Sequence, residues 1–97
     1  MLLSITLDPE YDTAEVLAEY AHRWRADANW LFLTGSPPAI REIAERFGVI
    51  YWPEDGVLTH TSATAVIDKQ GCLSALLEGS SYTSQQLLDL VGQVSNL

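Results

Sequence analysis

Apolar and polar residues fall along the chain in short blocks, and each block predicts an element. "LLSITL", Leu2 to Leu7, is an apolar run cut off sharply by "DPEYDT". Its shortness suits a buried strand better than a helix. "DTAEVLAEYAHRW" then sets Val16, Leu17, Tyr20, Ala21 and Trp24 on one face at helical spacing, which predicts a helix from Thr13 to about Arg25. Asp12 is the expected N-cap, and Glu15 favours the positive end of the helix dipole.

"NWLFLTG" predicts a strand from Trp30 to Leu33. "SPPAIREIAERFG" predicts a second helix, with Ser36 as N-cap, prolines in the first turn and Gly48 just past its end. Ile40, Ile43, Ala44 and Phe47 form its apolar stripe, and Glu42 can pair with Arg46 one turn on. Between Val49 and Thr59 the pattern dissolves around Pro53 and Gly56 into a loop or an irregular hairpin.

"SATAVI" (Ser62 to Ile67), the turn "DKQG" and "CLSALLE" (Cys72 to Glu78) read as a β-hairpin. Thr83 and Gln86 form a capping box ahead of Leu87, Leu90, Val91 and Val94 on one helical face. The expected order is β-α-β-α-β-β-α, an α/β fold with parallel strands joined by helical crossovers and an antiparallel hairpin.

Composition narrows the picture. With 97 residues the chain has length for one small domain, 1–97, with a modest core. Its 13 acidic and 5 basic residues give a net charge of −8, which repels phosphate backbones and anionic headgroups, so neither nucleic acid nor a membrane surface is an expected partner. No apolar run approaches the roughly 18 residues of a membrane span, and no export signal is visible. A single cysteine, Cys72, excludes an internal disulfide, a CxxC redox pair and a two-thiolate metal site within the chain.

Four segments, in their order and spacing, resemble the Sco/SenC family: "SITLDPEYDTAEVLAEYA", "WLFLTGSPPAIREIAERFGV", "LTHTSATAVIDKQGCL" and the closing helix. The DPxxDT element at Asp8 to Thr13 and the WxFLTG element at Trp30 to Gly35 are the most specific. The resemblance implies a thioredoxin-like copper protein that serves cytochrome c oxidase assembly by copper delivery and thiol redox. It also implies copper held by a CxxxC motif together with a histidine at the position of His60, an oxidase subunit as partner, and a membrane-anchored protein facing the periplasm or an equivalent compartment.

The CxxxC motif is absent here. The resemblance therefore implies a truncated thioredoxin-like domain missing its N-terminal βα unit, with Met1 an internal methionine or the start of a shortened protein. In such folds the missing strand lies between the first strand and the one at Ser62 to Ile67. Its loss leaves two open edges, closed either by each other or by a second copy in a homodimer; the homodimer is preferred because so small a domain can spare little core.

His60 is thus the one candidate metal ligand, weighed against a loop histidine bonded to backbone. A lone imidazole leaves most of a copper coordination sphere open, so weak or no copper binding and no enzymatic turnover are expected. His22 sits on the polar side of the first helix with no second ligand a turn away. Cys72 reads as a small buried hydrophobe at the far end of a strand from His60. Helix capping accounts for the acidic group Asp8, Glu10, Asp12 and Glu15 better than a cation site does. Trp24 and Trp30 are expected in the core, and Tyr51 with Trp52 on an exposed partner-binding patch. Ser62 near His60 lacks the rest of a hydrolytic constellation. The alternatives to a copper protein are a thioredoxin-like protein-binding or structural remnant, and a fragment of a peroxiredoxin-like enzyme.

Overall fold

The computed structural model describes residues 1–96. Its elements run β1 (Leu2–Ile5), α1 (Ala14–Arg23), β2 (Trp30–Leu33), α2 (Pro37–Arg46), β3 (Tyr51–Glu54), β4 (Val57–His60), β5 (Ala63–Ile67), β6 (Leu73–Glu78) and α3 (Ser84–Ser95). The mixed α/β class expected from the sequence is present, with a regular hairpin where a loop or an irregular hairpin is expected. The strands form three two-stranded sheets: β1–β2 parallel, β3–β4 antiparallel and β5–β6 antiparallel. The chain divides into two compact units, Met1–Arg46 and Phe47 onward.

In the first unit, α1 is capped by Thr13, whose hydroxyl accepts the Val16 N–H at 3.3 Å. The expected cap, Asp12, is engaged elsewhere: its carboxylate accepts the Thr6 hydroxyl at 2.6 Å. The helix ends earlier than expected because Arg25 turns into the left-handed region (φ 53°), where the Ala26 N–H closes back on the Ala21 carbonyl. Trp24 is the C-cap residue and lies 58% exposed against Tyr20, at a centroid distance of 6.1 Å, so it is not the core residue that helical spacing suggested. Trp30 is half-buried and donates its indole N–H to the Ser4 hydroxyl at 3.0 Å.

The β1–β2 register pairs Leu2 with Trp30, Leu3 with Leu31, Ser4 with Phe32 and Ile5 with Leu33. Side chains alternate across a sheet, so Leu2, Ser4, Trp30 and Phe32 share one face. That face meets α1, where Tyr20 packs edge-on to Phe32 at 5.5 Å. On the opposite face Leu3, Ile5, Leu31 and Leu33 remain 50, 39, 40 and 38% exposed, so the strand expected to be buried has one open side. Along α2, Ile40 and Ala44 are buried as the stripe predicted, the Ser36 hydroxyl accepts the Ala39 N–H at 3.3 Å, and Glu42 pairs with Arg46 at 3.0 Å.

In the second unit α3 lies against β5, and Val66 and Val94 are its buried residues. The Thr83–Gln86 capping box forms as predicted, and the Thr64 and Tyr82 hydroxyls meet at 2.6 Å. The β5–β6 turn is tied by Asp68, whose carboxylate accepts the N–H groups of Gln70 and Cys72, both at 2.9 Å, and the Ser74 hydroxyl at 3.3 Å. Cys72 is exposed on this turn rather than buried.

The stretch from Val49 to Thr59 is a regular hairpin. Asp55 and Gly56 take φ values of 50° and 77°, the mirror-image two-residue turn that matches strand twist. Pro53 fits within it because it faces Leu58 at a position where no ladder N–H is required. β1 pairs in parallel with β2, and β5 pairs antiparallel with β6.

Candidate functional site

His60 ends β4, directly opposite Tyr51 in β3. The next pair outward, Ile50 and Thr61, continues the ladder through the Thr61 N–H, which donates to the Ile50 carbonyl at 2.9 Å. Hydrogen-bonded and non-hydrogen-bonded pairs alternate in an antiparallel ladder, so Tyr51 and His60 form a non-bonded pair with their side chains close on one face. Pro53 and Leu58 lie on that same face. The Thr59 hydroxyl reaches Glu54 at 3.3 Å and braces the opposite side.

The imidazole is exposed, and its Nδ1 lies 2.7 Å from the Thr61 carbonyl oxygen. A carbonyl can only accept, so Nδ1 carries the proton of this bond. In the neutral ring Nε2 then keeps its lone pair and points away from the backbone bond. A backbone carbonyl on one ring nitrogen is a common way to orient a histidine that binds metal through the other. The bond is that of a loop histidine held by backbone, and it leaves free the nitrogen that a metal ligand would need.

Among the described residues no three His, Cys, Asp or Glu side chains converge on a point where they could hold a metal ion. Cys72 lies on the β5–β6 turn, beyond Leu73, which pairs with Ile67; His60 precedes Ala63 at the other end of β5. One strand length, about 15 Å at 3.3 Å per residue, separates those ends. His22 is exposed in the last turn of α1. Asp8, Asp12 and Thr6 are tied to one another through the Thr6 hydroxyl, which accepts the Asp8 N–H at 2.8 Å and donates to Asp12. These bonds make a turn, not a cation cage.

The residue that spacing and motif did not single out is Thr61, whose carbonyl sets the tautomer of His60. Trp52 is exposed as expected, next to the exposed Ile50 and Val57, while Tyr51 is half-buried.

Comparison with known proteins extends over nearly the whole chain. The profile of the SCO1/SenC family matches residues 1–95. An SCO2-like protein of Rickettsia typhi is 34% identical over 74 residues, which cover 69% of this chain and 36% of that protein. A second SCO2-like protein, from Rickettsia prowazekii, is 47% identical over 47 residues, covering 48% of this chain and 24% of its own length. Copper-bound ScoI of Arabidopsis thaliana superposes with a TM-score of 0.82 at 25% identity, covering 98% of this chain and 60% of that one. A SCO1/SenC family lipoprotein of Bacillus anthracis gives 0.80 at 26% identity, covering 96% and 58%. The chain thus spans about a third of its Rickettsia typhi relative and somewhat over half of the solved structures.

Proposed function

The chain belongs to the SCO1/SenC family, and on that premise we propose that it is the histidine-bearing part of a copper-delivering protein serving cytochrome c oxidase assembly, with His60 as a copper ligand. The observation that supports this most directly is the bond from His60 Nδ1 to the Thr61 carbonyl, which leaves Nε2 free as a donor. Copper is cargo in this reading. The relative from Arabidopsis holds copper, and His60 is the residue through which this chain would share that chemistry.

At this position the chain offers one imidazole nitrogen. Soft Cu(I) prefers sulfur, and the lone Cys72 cannot supply a thiolate pair. The proposal is therefore of an incomplete site in a truncated thioredoxin-like domain: the two thiolates of a CxxxC unit come from outside this sequence, and copper is held weakly without them. Thiol redox chemistry belongs to that same unit. The corresponding location is membrane-anchored, as in the lipoprotein relative; among the described residues no helix is long and apolar enough to cross a membrane.

Titration with Cu(II), followed by nitrogen hyperfine structure in electron paramagnetic resonance, tests the ligand. One imidazole should coordinate in the wild type, disappear in His60→Ala and persist in His22→Ala. Identical copper binding by the wild type and His60→Ala would remove His60 from the site.

A second reading, a structural role in a homodimer without metal, is favoured by a different observation. The Leu2 and Thr6 N–H groups point to β2, so by alternation those of Leu3 and Ile5 point to the other edge, where β1 has no ladder partner among the described residues. No charged side chain occurs from Met1 to Leu7 in a chain of net charge −8. Natural edge strands are usually guarded by charge or proline. An antiparallel approach of two β1 strands with Leu3 opposite Ile5 satisfies the N–H and C=O groups of both residues on each copy.

A further inference from the structure

The Ile50–Thr61 pair departs from a regular ladder in one respect. Two residues at a hydrogen-bonded antiparallel position normally exchange both backbone bonds. Here the Thr61 N–H donates to the Ile50 carbonyl at 2.9 Å, but the Ile50 N–H donates to the Thr61 hydroxyl at 3.0 Å instead of to the Thr61 carbonyl. The hydroxyl lies 3.5 Å from the Ile50 carbonyl, at the outer limit for donating back. The Thr61 carbonyl is left out of the ladder, and it accepts the His60 Nδ1–H at 2.7 Å.

We infer that Thr61 is the positioning residue for His60: its hydroxyl replaces its own carbonyl in the β3–β4 ladder, and the released carbonyl holds the imidazole in the tautomer with Nε2 free. A valine at this position has the same branched shape and no acceptor. The Ile50 N–H would then draw the Thr61 carbonyl toward β3, and the ring would lose the partner that sets its proton. Unconstrained histidine favours the opposite tautomer, so the lock works against the ring's own preference. The value of the lock to copper rests on the reading of His60 as a ligand; the lock itself is a property of the metal-free chain.

The test is the His60 tautomer in the metal-free protein, read from the two ring nitrogen shifts by long-range proton–nitrogen NMR at alkaline pH, where histidine rings are neutral. The wild type should show Nδ1 protonated, and Thr61→Ser, which keeps the hydroxyl, should match it. Thr61→Val and Thr61→Ala should each lower the ratio of Nδ1–H to Nε2–H tautomer roughly fivefold, the scale of one net hydrogen bond. Two hydroxyl-free variants of different bulk keep the test open if one of them loosens the hairpin. An unchanged ratio in a folded hydroxyl-free variant overturns the inference, as does a shift in Thr61→Ser equal to that in Thr61→Val. With copper added, Thr61→Val should weaken binding about tenfold, as loss of a group orienting a ligand does. If His60→Ala leaves copper binding untouched while the tautomer still answers to Thr61, the ligand reading fails and the lock stands.

Discussion

Tyr51 and His60 face each other across the β3–β4 ladder at a position where their backbones exchange no hydrogen bond. Side chains approach more closely at such pairs than at hydrogen-bonded ones, and Tyr51 is the residue directly across from His60. The hairpin as a whole therefore sets where the Nε2 lone pair sits, although the turn that closes it is several residues away.

That dependence predicts the effect of Gly56→Ala. Gly56 adopts φ 77° beside Asp55 at φ 50°, a left-handed conformation that a side chain resists by about 1–2 kcal/mol. No atom lies within 4 Å of a Cβ built there, so the cost is conformational and not steric. Faster amide exchange at Trp52 and Thr59 should accompany the substitution, with the α3 amides unchanged. Equal exchange in both proteins would show that the turn does not hold the hairpin.

The homodimer predicts a specific cross-link. With Leu3 opposite Ile5 of the second copy, the two Ser4 residues lie directly opposite at a non-hydrogen-bonded pair, about 4.5 Å apart at Cα, which is within disulfide range. Ser4→Cys in a Cys72→Ser background should oxidise to a covalent dimer, and adding Leu3→Lys should prevent it. Light scattering that shows only monomer at high concentration would end this reading.

Acid sensitivity should trace in part to Asp68. The Cys72 N–H bond above all, with the Gln70 N–H and the Ser74 hydroxyl, holds this carboxyl below the ordinary aspartate value against the opposing effect of desolvation. A carboxyl lowered by folding contributes stability that is fully present above its unfolded value, near 3.9, and is lost as pH falls toward its folded value. Thermal midpoints of the wild type should therefore decline below about pH 4, and Asp68→Asn should decline less over the same interval. Parallel declines would mean that the turn bonds do not depend on the carboxylate charge.

Much of this was legible in the sequence because the deciding interactions are local. The Thr83–Gln86 box and the Glu42–Arg46 pair each lie within one helical turn, and the strand at Trp30–Leu33 has the bounds its apolar burst suggested. Asp12 and Thr13 are both able N-caps, and the choice between them is made by the Thr6 hydroxyl, which local spacing does not weigh. Pro53 read as a breaker because its register was unknown; only the pairing with Leu58 shows that its missing N–H costs no ladder bond. Trp24 continues the helical stripe in spacing but falls on the C-cap, where the helical path ends. His60 was identifiable as a candidate from the chain alone. Its tautomer depends on which acceptor Ile50 takes, eleven residues from Thr61.

The ladder that carries His60 is two strands wide, with Ile50, Trp52 and Val57 all exposed along it. Ribbons of this kind are marginally stable in water and re-form within about 1–10 μs. On the reading of His60 as a copper ligand, a donor on such a ribbon would be presented and withdrawn as the ribbon opens and re-forms. That reading would then favour fast handover of copper over long residence.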